Sequence, residues 1–239
     1  METIREQFQM QQVSNIYMGI DCATLIVETA EGSEISVTAE ADRTEAEYKS
    51  AIVGDRLDIR YEAKHHKKHF NENIPRITIA IPRDYQCNEF CLELGAGSAD
   101  MRNAEICSNK ISIEAGAASV KAGELRAQES IEVEVGAGEA DFAGVWTRNA
   151  NLVCGVGQLR LSGKVEGDID VECGLGKCDL NLEGRETDYN YDVSCGIGRV
   201  SVNGNRIGGI GGSHTQNSMQ AIGRMNVSCG LGNVAIRIA

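Results

Sequence analysis

The sequence predicts an all-β fold, namely a single-chain parallel β-solenoid (β-helix), and three observations carry that prediction. A Gly-x-Gly pair recurs along residues 90–239, apolar and polar residues alternate on both sides of each pair, and most pairs lie 19 to 22 residues apart. Repeats of this length cannot bury an apolar face alone and are typical of solenoids. The first glycines of the repeats are Gly95, Gly116, Gly136, Gly155, Gly174, Gly196 and Gly230.

Each repeat predicts two short strands separated by a glycine corner. In the fifth repeat, Ile169, Val171 and Cys173 precede the glycines, Cys178 and Leu180 follow them, and polar residues stand between these positions. A period of two indicates strands with one buried face. We therefore expect about seven coils of about 20 residues, stacked as parallel strands about 4.8 Å apart.

The glycines and the residue between them shape the predicted corner. Glycine permits backbone angles that other residues avoid and leaves no Cβ to block the coil above. The second repeat has Ala118 in place of its second glycine and counts as a degenerate coil. The middle residue is apolar in every repeat, so we expect it to point inward and fill the corner. The middle residues are Ala96, Ala117, Ala137, Val156, Leu175, Ile197 and Leu231.

The chain is expected to form one continuous structural unit. Residues 1–89 contain strand-like runs such as ATLIVETA and RITIAIP, and we expect an N-terminal β cap or irregular first coils there. Residues 90–239 form the predicted Gly-x-Gly solenoid. The last gap between glycine pairs is 34 residues, so residues 205–223 are expected to form a loop insertion that bulges from one coil.

Charge and cysteine content narrow the partners and the compartment. The formal net charge is −12, which disfavours nucleic acid and anionic membranes as partners. No stretch approaches the ~20 apolar residues of a membrane span, and METIREQFQMQQ lacks the apolar core of a signal peptide. The nine Cys at irregular spacings favour free thiols in a reducing compartment. We expect a cytoplasmic protein, or a cell-surface protein if a leader was removed.

The order of the segments resembles a known family. The chain runs through ATLIVETAEGSEISV, RLDIRYE and IPRITIAIPRD before the glycine-marked coils begin. From about residue 15 to the end, this order resembles the bacterial "putative adhesin" domain family of unknown function, whose members are single-chain β-solenoids. The resemblance implies the fold and, through the family's name and the leader or anchor of many members, a role in surface adhesion. It brings no catalytic or binding residues with it.

Cysteines recur at the position before the first glycine of the later repeats. A column of thiols could bind a metal or store redox equivalents, whereas a small buried hydrophobe could simply fill a tight corner. Leu, Ala or Val takes the same position in the earlier repeats, and the spacing does not match a zinc site, so packing is the favoured interpretation. Cys87 and Cys91 form another loose pair of structural type. The column comprises Cys154, Cys173, Cys195 and Cys229, with Cys178 across the corner.

A histidine cluster offers a second candidate site. His65, His66 and His69 lie in KHHKKHFNEN, and clustered histidines can bind a metal. No carboxylate stands at a fixed spacing from them, so a solvated hairpin loop is the favoured interpretation. The segment is also a local basic patch that could dock an acidic partner. We predict no metal site and no cofactor.

Charged columns run along both sides of the predicted corners. The acidic column could bind a cation or a partner, or it could be a solubilising face, because like charges one coil apart repel. We take it as a possible interaction surface; its members are Glu93, Glu114, Glu134 and Glu172, with Val153 interrupting the series. Beyond the corner the signs alternate, so neighbours attract; that series is Asp100, Lys121, Asp141, Arg160 and Asp179.

No catalytic set emerges from these patterns. The segment RIGGIGGSH lacks the Gly-Lys-Ser/Thr ending of a phosphate loop, and a period near 20 differs from that of calcium-binding nonapeptide repeats. We therefore expect a non-enzymatic interaction or scaffold protein that resembles the adhesins and binds an unknown protein or cell-surface partner. One alternative is a cytoplasmic self-assembling β-helix scaffold, a homo-oligomer that stacks by its ends or edges. The other, ranked last, is a carbohydrate-active β-helix enzyme that uses outward carboxylates, because such enzymes usually need longer coils and several aromatic sugar platforms, and this chain has one Trp, at 146.

Overall fold

A computed structural model describes residues 2–41, 46–63, 74–208 and 212–239. Within these residues the chain forms an open 17-stranded sheet and two short 3-10 turns at Met10–Gln12 and Glu186–Asp188, which confirms the all-β prediction. No helix in the described part is long and apolar enough to cross a membrane. The strands are β1 (Glu2–Gln9), β2 (Asn15–Ala30), β3 (Glu34–Ala41), β4 (Ala46–Val53), β5 (Arg56–Ala63), β6 (Arg76–Pro82), β7 (Gln86–Val135), β8 (Glu139–Cys154), β9 (Gln158–Val165), β10 (Ile169–Cys173), β11 (Lys177–Leu182), β12 (Tyr189–Cys195), β13 (Arg199–Val202), β14 (Asn205–Gly208), β15 (Gly212–Gln216), β16 (Gly223–Cys229) and β17 (Asn233–Ile238).

The strands of the repeats pair in parallel, one turn of chain against the next. Ile169 pairs with Ala150 and Lys177 pairs with Gln158, so the offset between neighbouring turns is 19 residues at both places. Each turn contributes three segments, and each segment pairs with its counterpart in the next turn. We name them the first, second and third faces; in one turn they are residues 131–135, 139–142 and 145–147.

The interior is built from the alternating apolar residues. Ile169, Val171 and Cys173 are at most 2% exposed, whereas Asp170 and Glu172 between them are exposed. The same alternation on the other turns forms one continuous core of aliphatic and thiol side chains. Because no single turn covers its own inward row, the turns are stable only as a stack.

The turns at the C-terminal end do not stack in the order of the sequence. Strand β16 lies between β10 and β12, and strand β17 lies between β11 and β13, all in parallel register. The last turn of the chain is therefore an internal layer. The alternating pattern is the same in β12 and β16, so the sequence pattern alone fits either order.

In its described parts, the segment 205–223 forms edge strands, whereas the sequence analysis expected a loop that bulges from one coil. Strand β14 pairs antiparallel with β13, and strand β15 pairs antiparallel with β12. The outer edge of β12 and β13 would otherwise present unpaired N–H and C=O groups, and these two strands satisfy them. The long gap between glycine pairs is thus used to cover an edge.

The N-terminal end repeats this arrangement with other strands. Strand β2 lies between β7 on one side and β5 and β6 on the other, again in parallel. Beyond them, β4 pairs antiparallel with β5, β3 pairs antiparallel with β6, and β1 pairs antiparallel with β3. Both ends of the parallel stack therefore finish in antiparallel strands.

Candidate functional site

The Gly-x-Gly corners are too tight for their glycines to carry a side chain. A Cβ placed on Gly176 would lie 2.4 Å from the carbonyl oxygen of Gly157 in the preceding turn. The corner backbone is also bonded between turns, since the N–H of Leu175 donates to the carbonyl of Gly155 at 2.8 Å. The path of the backbone at each corner is fixed by these contacts.

The residue between the two glycines points outward, and the prediction that it fills the corner is wrong. The large middle residues are more than half exposed: Val156 65%, Leu175 56%, Leu231 57% and Ile197 69%. The alanines at the same position in the earlier turns are exposed or half-buried. We call the four large residues the apex ridge.

Thiols occupy the space that the middle residue was expected to fill. A Cβ on Gly176 would lie 2.6 Å from Sγ of Cys154, and a Cβ on Gly232 would lie 2.6 Å from Sγ of Cys173. A cysteine of the neighbouring turn therefore takes the volume inside the corners at Gly176, Gly198 and Gly232, and Val135 takes it at Gly157. Because protein interiors are closely packed, a second side chain has no room there and must lie outside.

The apex ridge is straight, because the turns are in register. The cysteines that precede the corners pair directly along the stack, and each apex residue follows its cysteine by two positions. At about 4.8 Å per strand, the ridge is about 14 Å long. Its order along the stack is Val156, Leu175, Leu231 and Ile197.

Charges of opposite sign flank the apex ridge. On the second face, Lys177 and Arg199 are exposed, and the Lys177 ammonium is paired with Asp179. The exposed acidic residues beside the ridge on the first face are Asp170, Glu172 and Asp192. The ridge thus separates an acidic flank from a basic one.

The predicted acidic column is present on the first face. All four of its members, Glu93, Glu114, Glu134 and Glu172, are exposed. Val153 pairs with both Glu134 and Glu172 and so separates them. Glu93 accepts a hydrogen bond from the hydroxyl of Tyr17 at 2.8 Å, and the Arg60 guanidinium lies over the Tyr17 ring. The use of this column as an interaction surface stays a prediction.

The cysteine column lies in the core, but its order differs from the sequence. All nine cysteines are free, and those of the column are buried. Hydrogen bonds from the Cys173 and Cys178 thiols lower the pKa of Cys154, and the contact with Cys154 raises the pKa of Cys178. Register places the column in the order Cys154, Cys173, Cys229 and Cys195.

No metal centre is found in the described part of the chain. Among those residues, no group of three or more His, Cys, Asp or Glu side chains could hold a metal ion. The cluster of His65, His66 and His69 lies outside the described residues. The role of the thiol column in packing stays a prediction.

The alternating charges on the second face are neighbours, as predicted. Lys121 pairs with Asp141, Asp141 with Arg160, and Arg160 with Asp179. Nη1 of Arg160 lies 3.2 Å from Oδ2 of Asp141. Arg160 and Asp141 are partly exposed, so their pair stabilises the stack by at most about 1 kcal/mol.

Family comparison agrees with the fold. The Toastrack DUF4097 pattern matches residues 13–217. The chain belongs to the Toastrack DUF4097 family. No curated protein sequence matches this Toastrack chain.

Bacterial crystal structures are similar to this Toastrack chain at low sequence identity. A "putative adhesin" from Bacteroides fragilis is 11% identical with a TM-score of 0.48, covering 98% of this chain and 97% of its own. Another from Parabacteroides distasonis is 11% identical with a TM-score of 0.48, covering 100% and 97%. A "putative cell adhesion protein" from Clostridium sporogenes is 12% identical with a TM-score of 0.41, covering 100% and 99%. Similarity at this level carries no argument about function.

The apex ridge is the feature of this Toastrack chain that sequence reasoning missed. The alternation predicts that an apolar residue between two glycines belongs to the core, because apolar residues at alternating positions nearby are buried. The available signal was the cysteine at the preceding position, since a thiol that fills the corner leaves no volume for a second side chain.

Proposed function

We propose that the protein is a non-enzymatic interaction protein and that the apex ridge is its binding surface. The observation that carries this proposal is the row of four large aliphatic side chains, each more than half exposed. Contiguous exposed apolar patches on folded proteins mark binding sites. The ridge contributes little to the core, so folding alone gives no reason for Val, Leu and Ile at these positions.

The partner we propose is a zwitterionic lipid surface. The ridge is the apex of a corner, so both flanking faces recede from it and a flat, rigid protein would touch little beyond the four side chains. A bilayer surface is soft and can close around a convex edge. Because the ridge is straight, all four side chains can enter the boundary between headgroups and acyl chains to the same depth.

The charges beside the ridge support a zwitterionic rather than an anionic surface. The chain carries a formal net charge of −12, which opposes approach to anionic lipids. Phosphocholine headgroups present both signs. Arg199 can face phosphates, while Glu172 and Asp192 on the other flank can face choline groups.

Flotation with phosphatidylcholine vesicles tests this proposal. We expect the wild-type chain to float with the vesicles and the Leu175→Asn/Leu231→Asn double variant to partition about tenfold less, the equivalent of ~1.4 kcal/mol. Both side chains are exposed, so the double variant should unfold at the same urea concentration as the wild type. Trp146→Ala, a change on the third face, is the matched control and should float normally.

Several outcomes would overturn the lipid assignment. Wild-type protein that does not float, or a double variant that floats equally well, removes the ridge as a lipid contact. Stronger binding to anionic vesicles would mean that charge rather than the ridge drives binding. A dimer that the double variant abolishes would assign the ridge to a second copy of the chain.

We also propose that residues 90–239 form seven coils and that the antiparallel strands at both ends are caps. The parallel register between turns and the polar outer strands β14 and β15 support this division. Slower amide exchange in β12 than in β15 is the measurement that checks it, because a cap shields the strand that it covers.

We propose, from the state of its thiols, that the protein resides in the cytoplasm, which is a reducing compartment. All nine cysteines are free and the column is buried, so the fold needs no disulfide. A count of nine free thiols in protein recovered from cells supports this proposal, and oxidised pairs would favour the cell surface instead.

A further inference from the structure

Trp146 is the one tryptophan of the chain, and it lies on the surface. Its side chain is 38% exposed on the third face, whereas Phe90 and Phe142 lie fully in the core. Along the third face Trp146 pairs with Arg126 in one neighbouring turn and with Lys164 in the other. An aromatic ring at an outward position of a strand does not pack into the core.

A carboxylate lies beside the indole of Trp146. Glu166 interacts with the Trp146 side chain and accepts a hydrogen bond from Nζ of Lys164 at 2.6 Å. The Lys164 hydrogen bond above all lowers the pKa of Glu166. The charge of Lys164, the neighbour of Trp146 in the next turn, is thus already paired within the protein.

Trp146 borders hollows on two sides. The larger is a groove of about 600 Å³ at the corner between the second and third faces, and the smaller has about 210 Å³ and includes Arg126 and Gln128. Among the described residues, no Arg or Lys lies over the Trp146 ring, although such contacts occur at Tyr17. The ring is therefore open to a ligand.

Two glycines lie along the larger groove. Gly144 and Gly163 line it, and Gly163 has a φ of +147°, with the Val145 carbonyl oxygen 1.9 Å from where a Cβ would stand. Glycine at this position therefore lets neighbouring turns pack closely at the corner that forms the groove. The polar side chains along the groove are Glu124, Arg126, Ser162, Lys164, Asn181, Glu183 and Arg237.

Arg237 gives the groove a cation that the fold does not use in an ion pair. Its Nη1 donates to Oδ1 of Asn181 at 3.1 Å, and no carboxylate in the described part of the chain forms an ion pair with it. Register places Arg237 three strands from Trp146, which is about 14 Å along the stack. A ligand that reaches both residues must be longer than one sugar ring.

We propose that this groove binds an acidic oligosaccharide, with a sugar ring stacked on Trp146 and a uronic carboxylate bound by Arg237. The apolar C–H face of a pyranose ring matches an exposed indole, while its hydroxyls match the amide, hydroxyl and charged groups along the groove. The planar Arg237 guanidinium suits bidentate contact with a carboxylate. The observations behind this site are independent of the apex ridge, which lies at the opposite corner of each turn.

Calorimetric titration with uronic-acid oligosaccharides tests the proposal on the full chain. The probes are oligogalacturonate, oligomannuronate and hyaluronan fragments, each compared with its carboxyl methyl ester. We expect at least one acid to bind at least about tenfold more tightly than its ester. Trp146→Ala should abolish binding, and Arg237→Met should remove the preference for the acid over the ester.

Leu175→Asn, a change on the apex ridge, is the matched control and should bind the sugar as the wild type does. Both groove residues are exposed, and unchanged urea unfolding of the two variants separates lost binding from lost fold. The proposal is overturned if none of the acids binds, if acid and ester bind equally, or if Trp146→Ala binds as well as the wild type. Any of these results leaves vesicle binding by the ridge untouched.

Discussion

At the corner between Cys173 and Lys177, one missing Cβ decides which way the neighbouring side chain points. Gly176 lies against the backbone of the preceding turn and against Sγ of Cys154. The adjacent Leu175 is excluded from this space and is 56% exposed. Leu175 and Gly176 are adjacent in the sequence but have opposite roles. Gly176 packs against the neighbouring turn, and Leu175 lies at the surface.

The variants Gly176→Ala and Leu175→Ala should separate these roles. A Cβ on Gly176 would collide with the Gly157 carbonyl oxygen, so we expect a loss of about 1–3 kcal/mol in the free energy of unfolding. Leu175→Ala removes an exposed side chain and should change it by no more than about 0.5 kcal/mol. Urea unfolding of both variants is the measurement; equal effects would mean that the corner relaxes around the new methyl group.

Sequence reasoning is accurate at this scale for the strands and inaccurate at the corners. Alternation identifies Val171 as buried because successive side chains of a strand point to opposite faces. That rule ends where the strand ends. The direction of the Leu175 side chain depends on which side chain already fills the corner. That is decided by a contact between residues 154 and 176, which lie on different turns.

At the scale of the element, register turns single positions into columns. Because neighbouring turns pair one to one, the same position in each repeat meets itself along the stack. The cysteine column and the alternating charges on the second face both follow from this register, and both could be predicted from the repeat alone. The position of a residue within its repeat thus determines which side chains of the adjacent turns lie next to it.

Burial of the cysteine column predicts a simple pattern of thiol reactivity. In the folded protein at pH 8, we expect iodoacetamide to modify only the half-buried Cys22, Cys91 and Cys107. Cys91 should react slowly, because burial above all raises its pKa to about 11 and the thiolate is the reactive form. Mass spectrometry before and after denaturation is the measurement, with all nine thiols modified in urea.

Rapid modification of any column cysteine in the folded protein would contradict the packing of the corners. Cys87 gives a second comparison, since burial raises its pKa to about 11 as well. Its modification should stay slow at pH 8 even in a variant that lacks Cys91.

At the scale of the whole molecule, both ends of the stack are interleaved. The turn that contains β16 and β17 is an inner layer, and so is the turn that contains β2. This order could not be read from the sequence, because each turn carries the same apolar alternation and fits several places in the stack. Only the pairing of β14 and β15 with the outer turn distinguishes the alternatives.

Removal of residues 223–239 should therefore damage more than the removed segment. The shortened chain loses the layer between β10 and β12, so we expect strands β12, β13, β14 and β15 to lose protection from amide exchange along with it. A chain whose last turn lay at the end of the stack would keep that protection. Exchange measured by mass spectrometry distinguishes the two results.

The interleaved end also has a consequence for how the protein is made. A ribosome delivers strands β12 and β13 before β16 and β17, yet the earlier strands pair in parallel with the later ones. The nascent chain must hold β12 and β13 apart from the growing stack, with apolar rows exposed, until β16 and β17 have been made. Release of a chain that stops before β16 would leave those strands without their parallel partners, so closure of this end of the fold waits for the turn that contains β16 and β17.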